Sequence, residues 1–145
     1  KEAMKKWIFT LIFSLSALSI AGFEMTPIQQ KDTGIETITR TVVAQIFLGK
    51  QLFFHGIRIT PYSMALDNLQ TKLFFIRNLG SSPEMFAQQN SELINSGRDF
   101  GVTIVESTTE MLVQVAKKPG NLGFLSETVM AMNVNSYVKT FQIVE

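Results

Sequence analysis

The residues best suited to chemistry in this sequence are hydroxyl side chains at a predicted helix start. Ser107-Thr108-Thr109-Glu110 follows a β-branched run and precedes apolar residues at helical spacing. The amides of a helix start carry partial positive charge and can bind an oxyanion. The same four residues also form a capping box, in which Ser107 and Glu110 satisfy those amides themselves. Both roles are open, and the flanking carboxylates of Glu106 and Glu110 favour capping.

Two other segments are candidates for binding an anion. Thr33-Gly34 precedes the first predicted long helix and offers a similar loop, although acidic neighbours on both sides again favour capping. Arg98 lies in a glycine-flanked loop just before a strand, where its guanidinium could pair with an anion. The alternative for Arg98 is a surface arginine bonded to Asp99 or to a carbonyl.

The side chains needed for catalysis or metal binding are scarce. His55 is the only histidine, and its position after Phe53-Phe54 favours a structural role over a catalytic one. The chain has no cysteine, so the thiolate ligands of a zinc cluster and the nucleophile of a cysteine–histidine dyad are missing. The carboxylates are scattered without a paired spacing. We therefore expect no enzyme activity, no metal site and no cofactor.

Length and composition indicate one globular domain. The chain has 145 residues, is 46% hydrophobic and carries a formal net charge of +1. This balance argues against a disordered chain or a repeat array. A chain of this length can bury a hydrophobic core large enough to hold the fold without disulfides.

The first 21 residues have the pattern of a secretory signal peptide. Two lysines precede the apolar run Trp7–Leu18, and Ser19-Ile20-Ala21 supplies small residues at cleavage spacing. Residues 1–3 then lie upstream of the true start at Met4. A retained membrane anchor is the alternative, although the run is short for a span. We expect a periplasmic or secreted protein that meets the membrane only through this segment.

Cleavage after Ala21 would leave residues 22–145 as the mature domain. It would remove three of the thirteen basic residues and one of the twelve acidic ones, leaving ten against eleven. A chain without a basic surplus is not expected to bind nucleic acid.

Three elements are predicted in the first part of this domain. Phe23–Ile28 predicts a strand, which Pro27 should end or confine to a sheet edge. Ile35–Phe47 carries an apolar stripe at helical spacing, with a strand within Ile38–Val43 as the alternative. Ile57–Thr60 alternates apolar and polar residues, as a half-buried strand does.

Two helices are predicted next. Leu66–Ile76 carries leucines at helical spacing, with Asp67 or Asn68 as its cap and Gly80 as its end. Ser82-Pro83-Glu84 opens a more polar helix, which should lie on the surface.

The stretch Val102–Ser126 predicts a β-α-β unit around which the rest is organised. Its helix ends at Pro119-Gly120, and an extended apolar run follows. Such a unit normally crosses into a parallel sheet. Glu127–Met132 then predicts a short helix and Val138–Val144 a closing strand.

Four of these segments together resemble the small exported proteins related to phosphate ABC transporter substrate-binding proteins, in the periplasmic binding protein type 2 group. The similar segments keep the family's order and spacing: Ala44–Lys50 with Gly56 ("IFLGK…G"), Phe74 with Leu79-Gly80 ("F…LG"), Ser96-Gly97-Arg98 ("TGRG"), and Pro119–Phe124 ("NPGAIGY").

The resemblance implies an α/β fold, a single periplasmic-binding-protein-like lobe with a mostly parallel or mixed sheet flanked by helices. It also implies recognition of an oxyanion through loop amides and helix N-termini, with the ligand loop at Ala65–Thr71. The binding candidates on this basis are Asn68, Thr71 and Lys72, in addition to Thr33, Gly34 and Arg98. Asn68 is also suited to a plain N-cap.

The expected function is therefore non-catalytic binding of a small oxyanion, phosphate by resemblance. At this length the mature chain provides one lobe, and a solvent-exposed half-cleft should bind weakly. The alternative is a periplasmic structural or interaction module that has lost the anion and binds a protein partner or a second copy. Asp67, a carboxylate in the ligand loop, favours the alternative.

Overall fold

The structure is a computed structural model, and it describes residues 25–89, residue 91, residues 102–130 and residues 137–145. The strands within these residues are β1 (Met25–Gln30), β2 (Thr37–Thr39), β3 (Phe53–Phe54), β4 (Ile57–Arg58), β5 (Thr60–Met64), β6 (Thr103–Val105), β7 (Asn121–Ser126), β8 (Val138–Thr140) and β9 (Gln142–Val144). The helices are α1 (Arg40–Phe47), α2 (Leu69–Leu79), α3 (Pro83–Gln89), α4 (Thr108–Ala116) and α5 (Glu127–Met130).

A five-stranded mixed sheet forms the centre of the fold, with strand order β6-β5-β7-β1-β8. The neighbours β6, β5 and β7 are parallel, whereas β1 is antiparallel to both β7 and β8. Four of the five strands therefore run in one direction. This confirms the predicted α/β fold with a mostly parallel or mixed sheet.

Helices cover both faces of the sheet. The ring of Phe124 in β7 stacks on that of Phe74 in α2, with centroids 4.3 Å apart. The next residue along β7, Gly123, instead faces the side chains of Met111 and Val115 in α4. Because successive strand residues point to opposite faces, α2 and α4 pack on opposite sides of the sheet.

The core on the α2 side is built largely from phenylalanines. Phe47 lies 5.0 Å from Phe74, and Phe75 meets Phe86 edge-on at 5.1 Å. All four side chains are at most 1% exposed. Much of the phenylalanine content of the described residues therefore packs the core.

The predicted edge position of β1 is wrong, since β1 lies between β7 and β8. The carbonyl of Pro27 accepts a hydrogen bond from the amide of Phe141, 3.1 Å away, just beyond the end of β8 at Thr140. In an antiparallel ladder the N and C=O of one residue point to the same neighbour. Pro27 has no N–H to donate, and that group would point toward β8 at a position just past the last residue pair of the β1–β8 ladder.

The long helix predicted over Ile35–Phe47 is shorter than expected. Thr37–Thr39 is extended and pairs in parallel with β9, so the alternative of a strand in this region is correct in part. Thr39 then caps α1, its Oγ1 accepting a hydrogen bond from the amide of Val42 at 3.2 Å. The helix begins only at Arg40.

The strand predicted over Ile57–Thr60 is present only in part: Ile57–Arg58 forms β4, which pairs with β3, and Thr60 begins the separate strand β5. Strand β5 runs from Thr60 to Met64 through Pro61, which discourages a strand prediction. The amide of Thr60 donates to the carbonyl of Gly120 on the β7 side, so the nitrogen of Pro61 faces the β6 side. Pairing with β6 starts only at Tyr62, and no ladder bond is lost.

The closing strand predicted over Val138–Val144 is divided in two. Phe141 is buried and separates β8, which joins the main sheet, from β9, which pairs with β2. The short helix predicted from Glu127 is present as α5, with Val129 N bonded to Ser126 Oγ at 3.3 Å.

Candidate functional site

Two helices begin at the same edge of the sheet. Strands β5 and β6 are parallel neighbours, and their last residues, Met64 and Val105, are paired in register. Helix α2 starts five residues after Met64, and α4 starts three residues after Val105. We call this region, residues 65–71 and 106–110, the helix-start edge. The carboxyl edge of parallel strands is where open α/β sheets bind ligands.

Asn68 is the N-cap of α2. Its Oδ1 accepts a hydrogen bond from the amide of Gln70 at 2.8 Å, and its own amide donates to the Ala65 carbonyl at 3.0 Å. Asp67, the other predicted cap, is exposed and does not cap the helix. The amides of Leu69 and Thr71, in the first turn, have no intrahelical acceptor.

Thr71 occupies the first turn of α2 with its side chain fully buried. Its Oγ1 has no hydrogen-bond partner among the described residues, and neither has the buried Oε1 of Gln70. Buried polar atoms are nearly always paired in folded proteins. In the part of the chain that the structure describes, the start of α2 therefore has two buried polar atoms without a partner.

Lys72 is bound away from the loop by an acidic residue of α3. Its Nζ lies 3.4 Å from Oε1 of Glu84, in a pair exposed to solvent. The pKa of Glu84 is lowered by a hydrogen bond from its own backbone amide and, to a smaller extent, by the Lys72 ammonium. The ammonium group of Lys72, a predicted site residue, is therefore directed toward Glu84 in α3.

The predicted capping box at the start of α4 is confirmed. Ser107 Oγ accepts a hydrogen bond from the amide of Glu110 at 3.1 Å. The Glu110 carboxylate reaches back to the amide of Glu106 at 2.8 Å, one residue earlier than in the usual box. These side chains bring negative charge and acceptors to the helix-start edge.

Thr33 and Gly34 lie elsewhere, so the prediction that they precede a helix is wrong. They form the turn after β1, where Thr33 Oγ1 donates to the Gln30 carbonyl at 2.8 Å. Because β1 runs opposite to β5 and β6, its end lies at the opposite edge of the sheet. The structure does not bring Thr33 and Gly34 together with Asn68 and Thr71.

Arg98, the remaining predicted site residue, lies outside the described residues. His55 is at the exposed tip of the β3–β4 turn, with its ring edge-on to Phe54 at 4.4 Å. Among the described residues, no group of three or more acidic or histidine side chains is placed to hold a metal ion. Nor is any helix of that part of the chain long and apolar enough to cross a membrane.

Three cavities, of about 460, 360 and 240 Å³, do not coincide with the helix-start edge. One of about 460 Å³ lies at the opposite, amino ends of β5 and β6, against Thr60, Pro61 and Thr103. Another, of about 240 Å³, is lined by Arg40, Arg77 and other residues. Sequence reasoning missed this second cavity, because its residues are far apart in the chain and carry no shared motif.

No family model and no curated protein matches this sequence. Solved structures do match. An ABC-type phosphate transport receptor from Vibrio cholerae superposes with a TM-score of 0.61 at 15% identity, over 83% of this chain and 46% of that one. A possible phosphate binding protein from Planctomyces limnophilus gives 0.58 at 15% identity, over 84% and 42%. PstS from Borrelia burgdorferi gives 0.55 at 11% identity, over 83% and 47%.

This chain spans less than half the length of each of these three proteins. Identities this low establish the fold and leave the ligand open. The chain therefore has the α/β fold found in one part of phosphate-transporter substrate-binding proteins, as its sequence motifs implied.

Proposed function

We propose that this protein is a non-catalytic binding-protein lobe whose ligand is a small oxyanion of the phosphate type, held at the helix-start edge. The observation that carries the proposal is the parallel pairing of β5 and β6, which brings two helix N-termini to one edge. The structural neighbours from Vibrio cholerae and Planctomyces limnophilus, which are named for phosphate transport and phosphate binding, support the same ligand class.

The donors for such a ligand come mainly from the backbone. The first-turn amides of Leu69 and Thr71 in α2, and of Thr108 and Thr109 in α4, have no intrahelical acceptors. The Thr71 hydroxyl lies in the same turn but is fully buried, so it contributes no donor at the surface. Helix dipoles would stabilise the bound charge without any lysine or arginine.

We further propose that the protein is exported, with residues 1–21 as the signal peptide. Mass spectrometry of the protein from the producing cell should find an N-terminus at Gly22 or within two residues of it. An intact Trp7–Ala21 segment in the mature protein would instead indicate a membrane anchor.

A second candidate function is an interaction module that has kept the fold and lost the anion. The observation that favours it is the occupation of the helix starts by the chain's own acceptors, Asn68 Oδ1, Ser107 Oγ and the Glu110 carboxylate. Exposed carboxylates of Asp67 and Glu106 add like charge against an entering anion. The partner would then be another periplasmic protein or a second copy of this chain.

Titration of the mature, ¹⁵N-labelled protein with inorganic phosphate separates the two functions. Oxyanion binding predicts saturable shifts of the Leu69 and Thr71 amide signals, accompanied by measurable heat in calorimetry. Amides at the opposite edge, such as that of Thr33, should not move. If the α2 amides do not respond to millimolar phosphate, the interaction module is the function to pursue.

A further inference from the structure

The outer edge of strand β6 is open to a further strand. β6 ends the five-stranded sheet on one side, and none of the strands that the structure describes pairs with its outer edge. Thr103 is exposed, and Ile104, at the centre of the strand, is 50% exposed. Because the N–H and C=O groups of successive residues alternate between the two sides of a strand, about half of those in β6 are directed away from β5. An edge of this kind can pair with a strand of another chain.

The residues of β6 lack the charges and prolines that usually protect a sheet edge. Val102, Thr103, Ile104 and Val105 are uncharged and β-branched, which favours strand pairing. The strand at the opposite edge, β8, has the same length but carries Lys139 at its centre. A lysine at that position discourages pairing with another chain, because its charge would have to lie against the added strand. Of the two edges, β6 is therefore the one suited to a partner strand.

The sequence of β6 is also complementary to itself. Two antiparallel β6 strands that overlap fully about a two-fold axis place Ile104 opposite Ile104 of the second copy. Thr103 then faces Val105, and such cross-strand pairs of β-branched residues stabilise an antiparallel ladder. Glu106, the charged residue that follows the strand, would lie opposite Val102. Within these residues, pairing of two copies brings no like charges together.

We propose that the outer edge of β6 is a self-association surface, through which two copies of this chain join their sheets about a two-fold axis at Ile104. An unrelated peptide would have to supply the same uncharged, β-branched pattern, whereas a second copy supplies it by symmetry. The antiparallel arrangement places the two helix-start edges at opposite edges of the joined sheet. Association therefore does not depend on anion binding. It rests on the second candidate function only in naming a second copy as the partner.

The first test introduces single cysteines into the whole chain, which has none of its own. Ile104→Cys should form a disulfide-linked dimer under mild oxidation, because directly opposite residues of an antiparallel pair have Cβ atoms about 5 Å apart. Ile76→Cys is the matched control, since Ile76 is an isoleucine of similar exposure, 59%, that lies on α2. At micromolar protein, Ile104→Cys should crosslink about tenfold faster than the control, because association raises the local thiol concentration.

Sedimentation velocity tests the same surface without crosslinking. The parent should show a dimer whose population rises with protein concentration. Ile104→Lys should raise the dimer dissociation constant about tenfold, because two ammonium groups would face each other across the axis. Ile76→Lys should leave that constant within about twofold of the parent, as expected for a screened surface charge.

A parent that remains monomeric at millimolar concentration would overturn the proposal, and so would equal crosslinking of the two cysteine variants. Faster crosslinking of Ile76→Cys would also overturn it and would place the interface on α2. The outcome is distinguishable from that of the phosphate titration. A monomer whose Leu69 and Thr71 amides respond to phosphate keeps the oxyanion function without this interface.

Discussion

Gly123 in β7 lies directly beneath Met111 in α4, with no room for a side chain between them. A Cβ at Gly123 would lie 2.9 Å from Cγ2 of Val115 and closer still to the sulfur of Met111. The backbone conformation at Gly123 is ordinary, so the constraint is steric. The absence of a side chain therefore sets how closely α4 approaches the sheet.

Gly123→Ala should destabilise the protein by about 1–3 kcal/mol through overpacking. The free energy of unfolding from urea denaturation measures this. In a Met111→Ala background the same substitution should cost less, because the clashing sulfur is gone. An equal cost in both backgrounds would show that Met111 is not the group that Gly123 accommodates.

Val115→Ala should cost roughly 1–3 kcal/mol, because Val115 is fully buried against the sheet. Val113 provides a matched control in the same helix, since its side chain is 51% exposed. Val113→Ala should stay within about 0.5 kcal/mol of the parent. Similar losses for both variants in thermal or urea denaturation would contradict the observed helix orientation.

Asp67→Ser should raise phosphate affinity at the helix-start edge about fivefold to tenfold, because a like charge at a partly exposed site costs about 1 kcal/mol. The gain should shrink at high salt. Stability should change little, since Asn68 and not Asp67 caps α2. Asp32→Ser removes an equal, exposed charge from the turn after β1 and should leave the affinity unchanged.

The pH dependence of stability should include a small contribution from Glu84. Its folded pKa is lowered, so the ionised form is favoured in the folded protein. This contribution is present at neutral pH, above the unfolded pKa, and is lost as the pH falls through the folded pKa. Glu84→Gln should therefore be slightly less stable than the parent at pH 7, and the difference should vanish in acid. A difference that grows on acidification would contradict this sign.

Elements with local signals were predictable from the sequence. Ser107 and Glu110 form a capping box by themselves, and Gly80 ends α2 in the left-handed conformation expected of a C-terminal glycine. Elements that depend on partners far away in the chain were not predictable from the sequence. Residues 37–39 are extended because β9, at the other end of the described chain, pairs with them. Pro61 fits within β5 only because β6 pairs one residue later.

The same distinction holds for the candidate site: features set by local sequence were predictable, and features that depend on distant partners were not. The cap at Asn68 follows from residue type and position, and the sequence included it among two choices. The placement of Thr33 and Gly34 depends on the direction of β1 in the sheet, which no local pattern reveals. Likewise, Arg40 and Asn78 meet at one cavity only after α1, α2 and β9 have packed together.

The position of β1 has a consequence for how the protein folds. This strand precedes the other described elements in the chain, yet its partners are β7 and β8, so Met25 must meet Ser126. The ion pair between Arg40 and Glu145 joins residues 105 positions apart. Contacts between such distant residues form slowly, because a long loop must close before they stabilise the chain. Until β7 has been synthesised, β1 has neither of its neighbours, so the central sheet cannot be completed before most of the chain is present.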